Sequence, residues 1–519
     1  MGFTLAGLVR EHARERGDNA AILFNRRVAT YSDLDRRSNQ VAQALRAVGV
    51  GRGDRVAIID RNGPEFFELL FGTAKLGAVL VGVNWRLAPS EMAFIVADST
   101  ARVLVIGPEV VGQLKGMGEL PLVGLVVAIG GAPGLADYEG WVGGAPAADL
   151  VVASADQDVV VQMYTSGTTG LPKGALVTNA NFAAQLAPLA DTVGLTEAST
   201  VLSVMPLYHI AGTGGALLAL FRGATMILHR EVDPAAIVDA IESHRVSFAI
   251  LVPAVMQMIL AVPGVDRRDL SSIDAIGYGA SPISEAVMLR ACKVFGDLYQ
   301  LYGLTETTGA VTALPPIDHR ADGPHPARLR SAGRPLPGVE IRVVEASADG
   351  WSDVRVGQVG EVAIRGAMVM KGYWNRPDAT AQAIDRDGWF HSGDAGYLDA
   401  DGYLYIHDRL KDMIISGGEN VYPAEVENVL MAHAAVADAA VIGVPDERWG
   451  ETVKAVLVRA PGAVTTDAEI IEFCRTRLGG FKCPTSIDWV DALPRNPSGK
   501  ILKRELREPY WAGRERAVN

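Results

Sequence analysis

Apolar positions in the N-terminal half alternate between two periods. Ser32 is placed to cap a helix that carries Leu34, Val41, Ala42 and Leu45 on one side and ends near Gly49–Gly51. Arg55–Ile59 is a short apolar run with the look of a buried strand, and Glu65–Leu76 returns to helical spacing. Strand-like runs recur at Ala78–Val83, Val103–Ile106 and Thr225–Leu228. Repeated strand–helix order predicts an α/β fold layered around parallel sheet.

The pattern changes after about residue 330. Gly338–Glu345, Gly360–Arg365 and Gly402–Asp408 read as strands joined by Gly-rich turns, with Asp401-Gly402 as a hairpin signal. It changes again after the charged stretch Arg409-Leu410-Lys411-Asp412. Pro423 suits the first turn of a helix with Val426, Val429 and Leu430 inward. Val436–Val444 reads as a strand. Thr466 or Asp467 is expected to cap a helix through Ile470, Ile471, Cys474 and Leu478, closed by Gly479-Gly480. The expected organisation is a large N-terminal domain, 1–409, of layered α/β subdomains plus a β-rich subdomain at about 331–409. A small α+β C-terminal domain, 410–519, follows.

Composition narrows the class. With 519 residues, 49% hydrophobic and 21% charged, the chain is globular and long enough for several units. Its net charge of −12 argues against nucleic acid as a partner, which needs a basic face. Cys292, Cys474 and Cys483 form no CxxC pair and read as free thiols of a reducing cytoplasm. The N-terminus lacks the basic region of a signal peptide. The most apolar window, Ile210–Phe221, is too short for a transmembrane segment. A soluble cytoplasmic protein is expected; peripheral membrane contact and a homodimer stay open.

The densest chemistry lies at Tyr164-Thr165-Ser166-Gly167-Thr168-Thr169-Gly170-Leu171-Pro172-Lys173-Gly174, after the apolar run Val159–Met163. Glycines let backbone N–H groups approach an anion, hydroxyls add donors and Lys173 adds a point charge. The spacing is not that of a Walker loop. A second group is Tyr302-Gly303-Leu304-Thr305-Glu306: a flat ring, a hydroxyl and a hard oxygen ligand. Further candidates are Gly279-Ala280-Ser281, His391-Ser392-Gly393-Asp394, Arg409 and Lys500 in Pro494–Lys500.

These motifs, in this order along essentially the whole chain, resemble those of the adenylate-forming superfamily, with wording closest to bacterial fatty-acyl-CoA ligases. The resemblance implies ATP, Mg2+ and CoA. It implies that Thr165–Gly170 and Lys173 hold phosphates, that Gly279, Ala280, Ser281, Tyr302 and Gly303 border adenine, and that Thr305 touches the α-phosphate. Glu306 would hold Mg2+, Asp394 would bind the ribose hydroxyls, and Arg409 would contact ribose or phosphate. Lys500 would bridge the two anionic reactants, which otherwise repel. Lys411 would be the hinge of a mobile C-terminal domain that has one pose per half-reaction. His209 in Pro206-Leu207-Tyr208-His209 would line the acid site, and Ile210–Gly214 leave room beyond it. No Asp follows to pair an ammonium, so the acid is not expected to be an amino acid. Gly417, Gly418 and Glu419 would close over pantetheine, with Trp449 and Phe481 offered to the CoA adenine. Arg86 and Lys482 are the alternatives for the 3′-phosphate, because Cys483 and Thr485 stand where some relatives are basic. The implied activity is a two-step acid:CoA ligase on a small-molecule carboxylic acid. A fatty acid comes first and a benzoate- or cinnamate-type acid second. Loading of a carrier protein is the competing enzyme reading. A non-catalytic binding protein is the reading opposed by Lys500 and Glu306.

Overall fold

The computed structural model describes residues 2–165, 171–281, 283, 285–319, 323, 325–347, 350–409, 412–416, 419–446, 448–495 and 500–512. Among these residues the strands form four sheets.

In the seven-stranded sheet Arg55–Ile59 lies between Val79–Gly82 and Ala101–Ile106, all parallel. Val159–Thr165 joins the edge of Val79–Gly82 and turns back as the antiparallel Lys173–Thr178. The nine-stranded sheet is parallel through its centre, where Thr200–Ser203, Phe248–Leu251 and Ala275–Gly279 lead to Leu298–Leu304. Its far edge turns antiparallel through Gly309–Leu314 and Arg334–Pro335. Every residue of the helix Pro64–Leu76 is buried. A helix buried on all sides belongs in the middle of a protein, and Phe67 and Phe71 share one core with Leu45, Phe182, Leu217 and Phe248. Lys75 sits in that interior because Asp35 and Asn39 receive its ammonium at 2.5 and 2.6 Å.

The third sheet is antiparallel and carries Glu340–Ser347, Gly360–Arg365, Phe390–Leu398 and Leu404–Arg409. The fourth is built after it, from Ile414–Ser416, Glu419–Val421, Val436–Asp446, Gly450–Arg459 and Ser486–Trp489. This is the layered α/β architecture with a β-rich and then an α+β unit.

Two local expectations are corrected. The helix over Tyr31–Ala47 is capped by Thr30, not Ser32, because Thr30 and Asp33 exchange side-chain-to-backbone bonds in a capping box. The helix capped by Thr466 covers Asp467–Arg475 and stops before Gly479-Gly480, which open a short 3-10 turn instead.

Candidate active site

The strand Val159–Thr165 ends in the phosphate-loop motif, and Thr165 pairs with Lys173 on the returning strand. Ser166, Gly167, Thr168, Thr169 and Gly170 lie outside the described residues. Thr165 Oγ1 donates to Glu306 Oε1 at 3.3 Å, so the two motifs meet although they are far apart in sequence. Thr305 and Glu306 occupy a short 3-10 turn after Leu298–Leu304, and Glu306 is only 9% exposed. The same oxygen of Glu306 accepts from the Tyr373 hydroxyl at 2.8 Å. Tyr373 also lies under Lys173, whose Nζ is 5.2 Å from the ring centroid.

Tyr302 lies on the strand Leu298–Leu304, three residues before Thr305. Its hydroxyl donates to Asp394 Oδ2 at 2.7 Å. Asp394 is buried on Phe390–Leu398 and pairs across the third sheet with Arg409. The nine-stranded sheet and the third sheet therefore meet through an aromatic hydroxyl and a carboxylate. Two glycines let neighbouring strands of the nine-stranded sheet close up around Tyr302. A Cβ on Gly303 would lie 1.8 Å from the Gly309 carbonyl oxygen, and one on Gly279 would lie 2.0 Å from that of Leu301. Ala280 has φ +68°, a left-handed conformation that costs an L-residue roughly 1–2 kcal/mol. Ser281 follows it, partly buried.

His209 caps the helix Ile210–Arg222 and packs on Tyr208 at 4.6 Å between centroids. Its Nε2 is buried with no partner among the described residues. Burial first, and the Arg86 guanidinium second, lower its pKa to about 4. His209 is therefore neutral at ordinary pH. Gly212 corrects the reading that the glycines here simply leave room. Its Cβ would lie 2.1 Å from the Pro206 carbonyl oxygen, so it serves the close turn that presents His209.

The remaining candidates lie around or beyond the linker. Lys411, Gly417 and Gly418 fall outside the described residues. Glu419 is exposed at the start of its strand. Trp449 and Phe481 are 46% and 44% exposed. Lys482 is held by both oxygens of Glu425 at 2.8 Å, which occupies the charge considered for a CoA phosphate. Next to Lys500, Ile501 forms a β-bridge with Arg495 and Leu502 N–H donates to the Pro494 carbonyl at 2.8 Å. Three residues on, Lys503 pairs with Glu427 at 2.9 Å and with Asp408 at 3.1 Å. Asp408 precedes Arg409 on its strand, so the chain three residues after Lys500 is tethered beside a residue expected at the ribose.

Comparison with known proteins settles the family. The AMP-binding enzyme family matches residues 9–374, and the AMP-binding enzyme C-terminal domain matches residues 425–500. The chain belongs to the AMP-binding enzyme family. It is 40% identical to a fatty acid–[acyl-carrier-protein] ligase of Streptomyces coeruleorubidus, over 99% of this chain and 98% of that one. It is 41% identical to a feruloyl-CoA synthase of an Amycolatopsis species, over 93% and 94% of the two chains. The anthranilate CoA ligase AuaEII, solved with anthranoyl-AMP, superposes with a TM-score of 0.89 at 28% identity, over 98% of this chain and 97% of that one. The chain is an ATP-dependent, AMP-forming acid:CoA ligase that works through an acyl-adenylate.

The residues fit the Mg2+ that this family chemistry implies. Among the described residues no group of three His, Cys, Asp or Glu side chains converges. Mg2+ bound to a nucleotide needs only one or two carboxylates, the rest of its shell being phosphate and water. Glu306 beside Thr165 is such a carboxylate. No helix among the described residues is long and apolar enough to cross a membrane.

Three contributors in this AMP-binding enzyme escaped sequence reading. Tyr373 lies in Lys371-Gly372-Tyr373-Trp374-Asn375-Arg376, which has the composition of an ordinary turn. Asp98 accepts from Tyr164 at 2.7 Å and from Arg376 at 2.6 Å, tying the strand below the phosphate loop to that turn. Asn62 donates to the Met205 and His229 carbonyls, both at 3.1 Å, and accepts from Leu207 N–H at 3.0 Å. It thereby fixes the Pro206–His209 segment from the other sheet. Only the pairing of distant segments reveals such partners.

The depressed His209 pKa has a thermodynamic consequence. The folded state binds this proton less well than the unfolded state, so the stabilisation is full above the unfolded pKa of about 6.5 and is lost as pH falls toward about 4. Between pH 6.5 and 5 the loss amounts to about 2 kcal/mol. Thermal midpoints of the unmodified protein and of His209→Gln should converge on acidification over this window. A constant offset between the two would remove His209 from the account.

Proposed function

We propose that this ligase activates a fatty acid. The observation that carries the reading is the start of the helix after His209, which carries no charged side chain, the one charge felt by His209 being the Arg86 guanidinium on its other side in sequence. Ile210-Ala211-Gly212-Thr213-Gly214-Gly215 offers nothing to pair with an ammonium or a second carboxylate. An unpaired charge there is costly to bury, whereas an alkyl chain gains by leaving water. The relative named for a fatty acid, which matches over nearly its whole length, supports the same acid class. An aryl acid is the second reading, favoured by the feruloyl-CoA synthase at 41% identity.

The proposed assignments follow the geometry. Lys173 and the Thr165–Gly170 loop hold the β- and γ-phosphates. Tyr302 with Gly279–Ser281 and Gly303 borders adenine, while Asp394 and Arg409 take the ribose. Thr305 meets the α-phosphate, and Glu306 holds Mg2+, which when bound neutralises phosphate charge. Lys500 places its ammonium between the acid carboxylate and the α-phosphorus. The carboxylate oxygen then forms a bond to phosphorus as the bond to pyrophosphate breaks. In the second step the CoA thiol sulfur attacks the acyl carbon, AMP leaves with the C–O bonding pair, and the thiol proton passes to solvent. Neutral His209 sits at the acid end of this path. Glu419, Gly417, Gly418, Trp449 and Phe481 are proposed to face CoA. The proposed division falls at 409/410, with Lys411 as hinge, in a cytoplasmic enzyme whose three cysteines are free thiols.

A panel of acids scored for CoA-dependent AMP release tests the substrate class. Medium- and long-chain fatty acids should give the highest kcat/KM. Ferulate or benzoate outrunning every fatty acid would replace the first reading by the second.

A further inference from the structure

Tyr373 stands between two groups of opposite charge that must not meet. Its hydroxyl donates to Glu306 Oε1 at 2.8 Å, and its ring carries Lys173 at 5.2 Å from the centroid. A lysine and a carboxylate free to approach would form an ion pair and cancel each other. Both are then withdrawn from a triphosphate and its cation. An aromatic face attracts an ammonium without neutralising it, and a phenol donates to a carboxylate without neutralising it.

The ring is held in place from several sides. The 371–374 segment lies antiparallel to Lys173–Thr178 through an isolated Ala175–Tyr373 bridge. Lys371 N–H donates to the Leu176 carbonyl at 2.9 Å, Leu176 N–H to the Gly372 carbonyl at 2.9 Å and Trp374 N–H to the Gly174 carbonyl at 2.8 Å. Met370 N–H donates to the Glu306 carbonyl at 2.7 Å. The Trp374 indole N–H reaches the Asp98 carbonyl at 3.1 Å, and its ring lies 3.4 Å under the Arg55 guanidinium. This construction is stiffer than a surface turn requires. It fixes one phenol against the phosphate-loop lysine and the acidic residue of the second motif.

We propose that Tyr373 is a positioning residue for Mg2+ and ATP, which keeps Lys173 and Glu306 apart and aimed at the triphosphate. The proposal rests on the assignment of Glu306 to Mg2+ and of Lys173 to phosphate. Tyr373→Phe keeps the ring and removes only the hydroxyl. Equilibrium binding of Mg2+–ATP, measured by calorimetry without acid or CoA, is expected to weaken about tenfold. The Mg2+ concentration for half-maximal ATP binding should rise with it. The KM values for acid and CoA and the thermal midpoint should stay near those of the unmodified protein. In a double-mutant cycle with Glu306→Gln the two losses should fall well short of additive, because the hydroxyl acts through that carboxylate.

Unchanged Mg2+–ATP binding in Tyr373→Phe would overturn the proposal, and so would additive losses. Equal weakening for ATP, acid and CoA would show a merely structural ring and overturn it as well. Glu306→Gln measured alone separates the two layers. If that variant keeps its Mg2+ dependence, the assignment of Glu306 fails first and the proposal with it. If it loses that dependence while Tyr373→Phe does not, only the role of Tyr373 fails.

Discussion

Replacing Lys500 with alanine is expected to lower acid-dependent ATP–pyrophosphate exchange by about a hundred- to a thousandfold. The reason is charge. A carboxylate must approach an α-phosphate that is itself anionic, and the approach is repulsive until a cation touches both. Two cations lie in the Pro494–Leu502 stretch: Arg495, which pairs with Asp438 at 2.7 Å, and Lys500, the compact ammonium that answers that need. Ile501 beside it bridges to Arg495, and Lys503 pairs with Asp408, next to Arg409. Lys500→Arg keeps the charge but replaces a compact ammonium by a planar fork, so a smaller loss is expected. Thioester formation from acyl-adenylate supplied ready-made should be far less affected, because phosphorus chemistry is finished by then. Equal loss in both half-reactions would mean that Lys500 supports the fold of its domain and not the first step.

Glu306→Gln is expected to weaken Mg2+–ATP binding by about ten- to a hundredfold, the range for losing a charged partner. Glutamine preserves shape, and its carbonyl oxygen still accepts from Tyr373 and Thr165. What disappears is the negative charge that a hard cation seeks. Because those hydrogen bonds survive, the thermal midpoint should move little. The defect should be offset in part by raised Mg2+. A variant that binds Mg2+–ATP normally but turns over slowly would place the carboxylate in the chemical step instead.

Much of the fold was legible because strong periodicity and strong punctuation coincide in this chain. Thr225–Leu228 and Gly360–Arg365 are strands at the residues their composition indicates. The helix at Pro64–Leu76 follows from its spacing, and Pro64 at its first turn fits the rule for helix starts. Errors fell where two neighbours compete for one job. Thr30 and Ser32 can each cap a helix, and the choice goes to Thr30 because Asp33 lies three residues beyond it. Gly479-Gly480 resemble a helix stop, but the chain had already left the helix at Arg475.

For the candidate site, motifs with fixed internal order could be read directly, and partners from other segments could not. Nothing in Tyr302 says that its hydroxyl meets Asp394, although both residues were singled out. Tyr373, Asp98 and Asn62 carry no local signature. They matter because the fold brings them against Glu306, Tyr164 and Leu207. Gly212 shows the converse error. A small residue suggests space, yet the Pro206 carbonyl already fills it.

The central claim is that ATP is cleaved between its α- and β-phosphates by attack of the acid, before CoA takes part. Incubating the protein with Mg2+, ATP, radiolabelled pyrophosphate and a fatty acid, without CoA, tests it directly. Label should enter ATP only when the acid is present, and later addition of CoA should release AMP. Products of ADP and phosphate, or exchange that waits for CoA, would contradict the account.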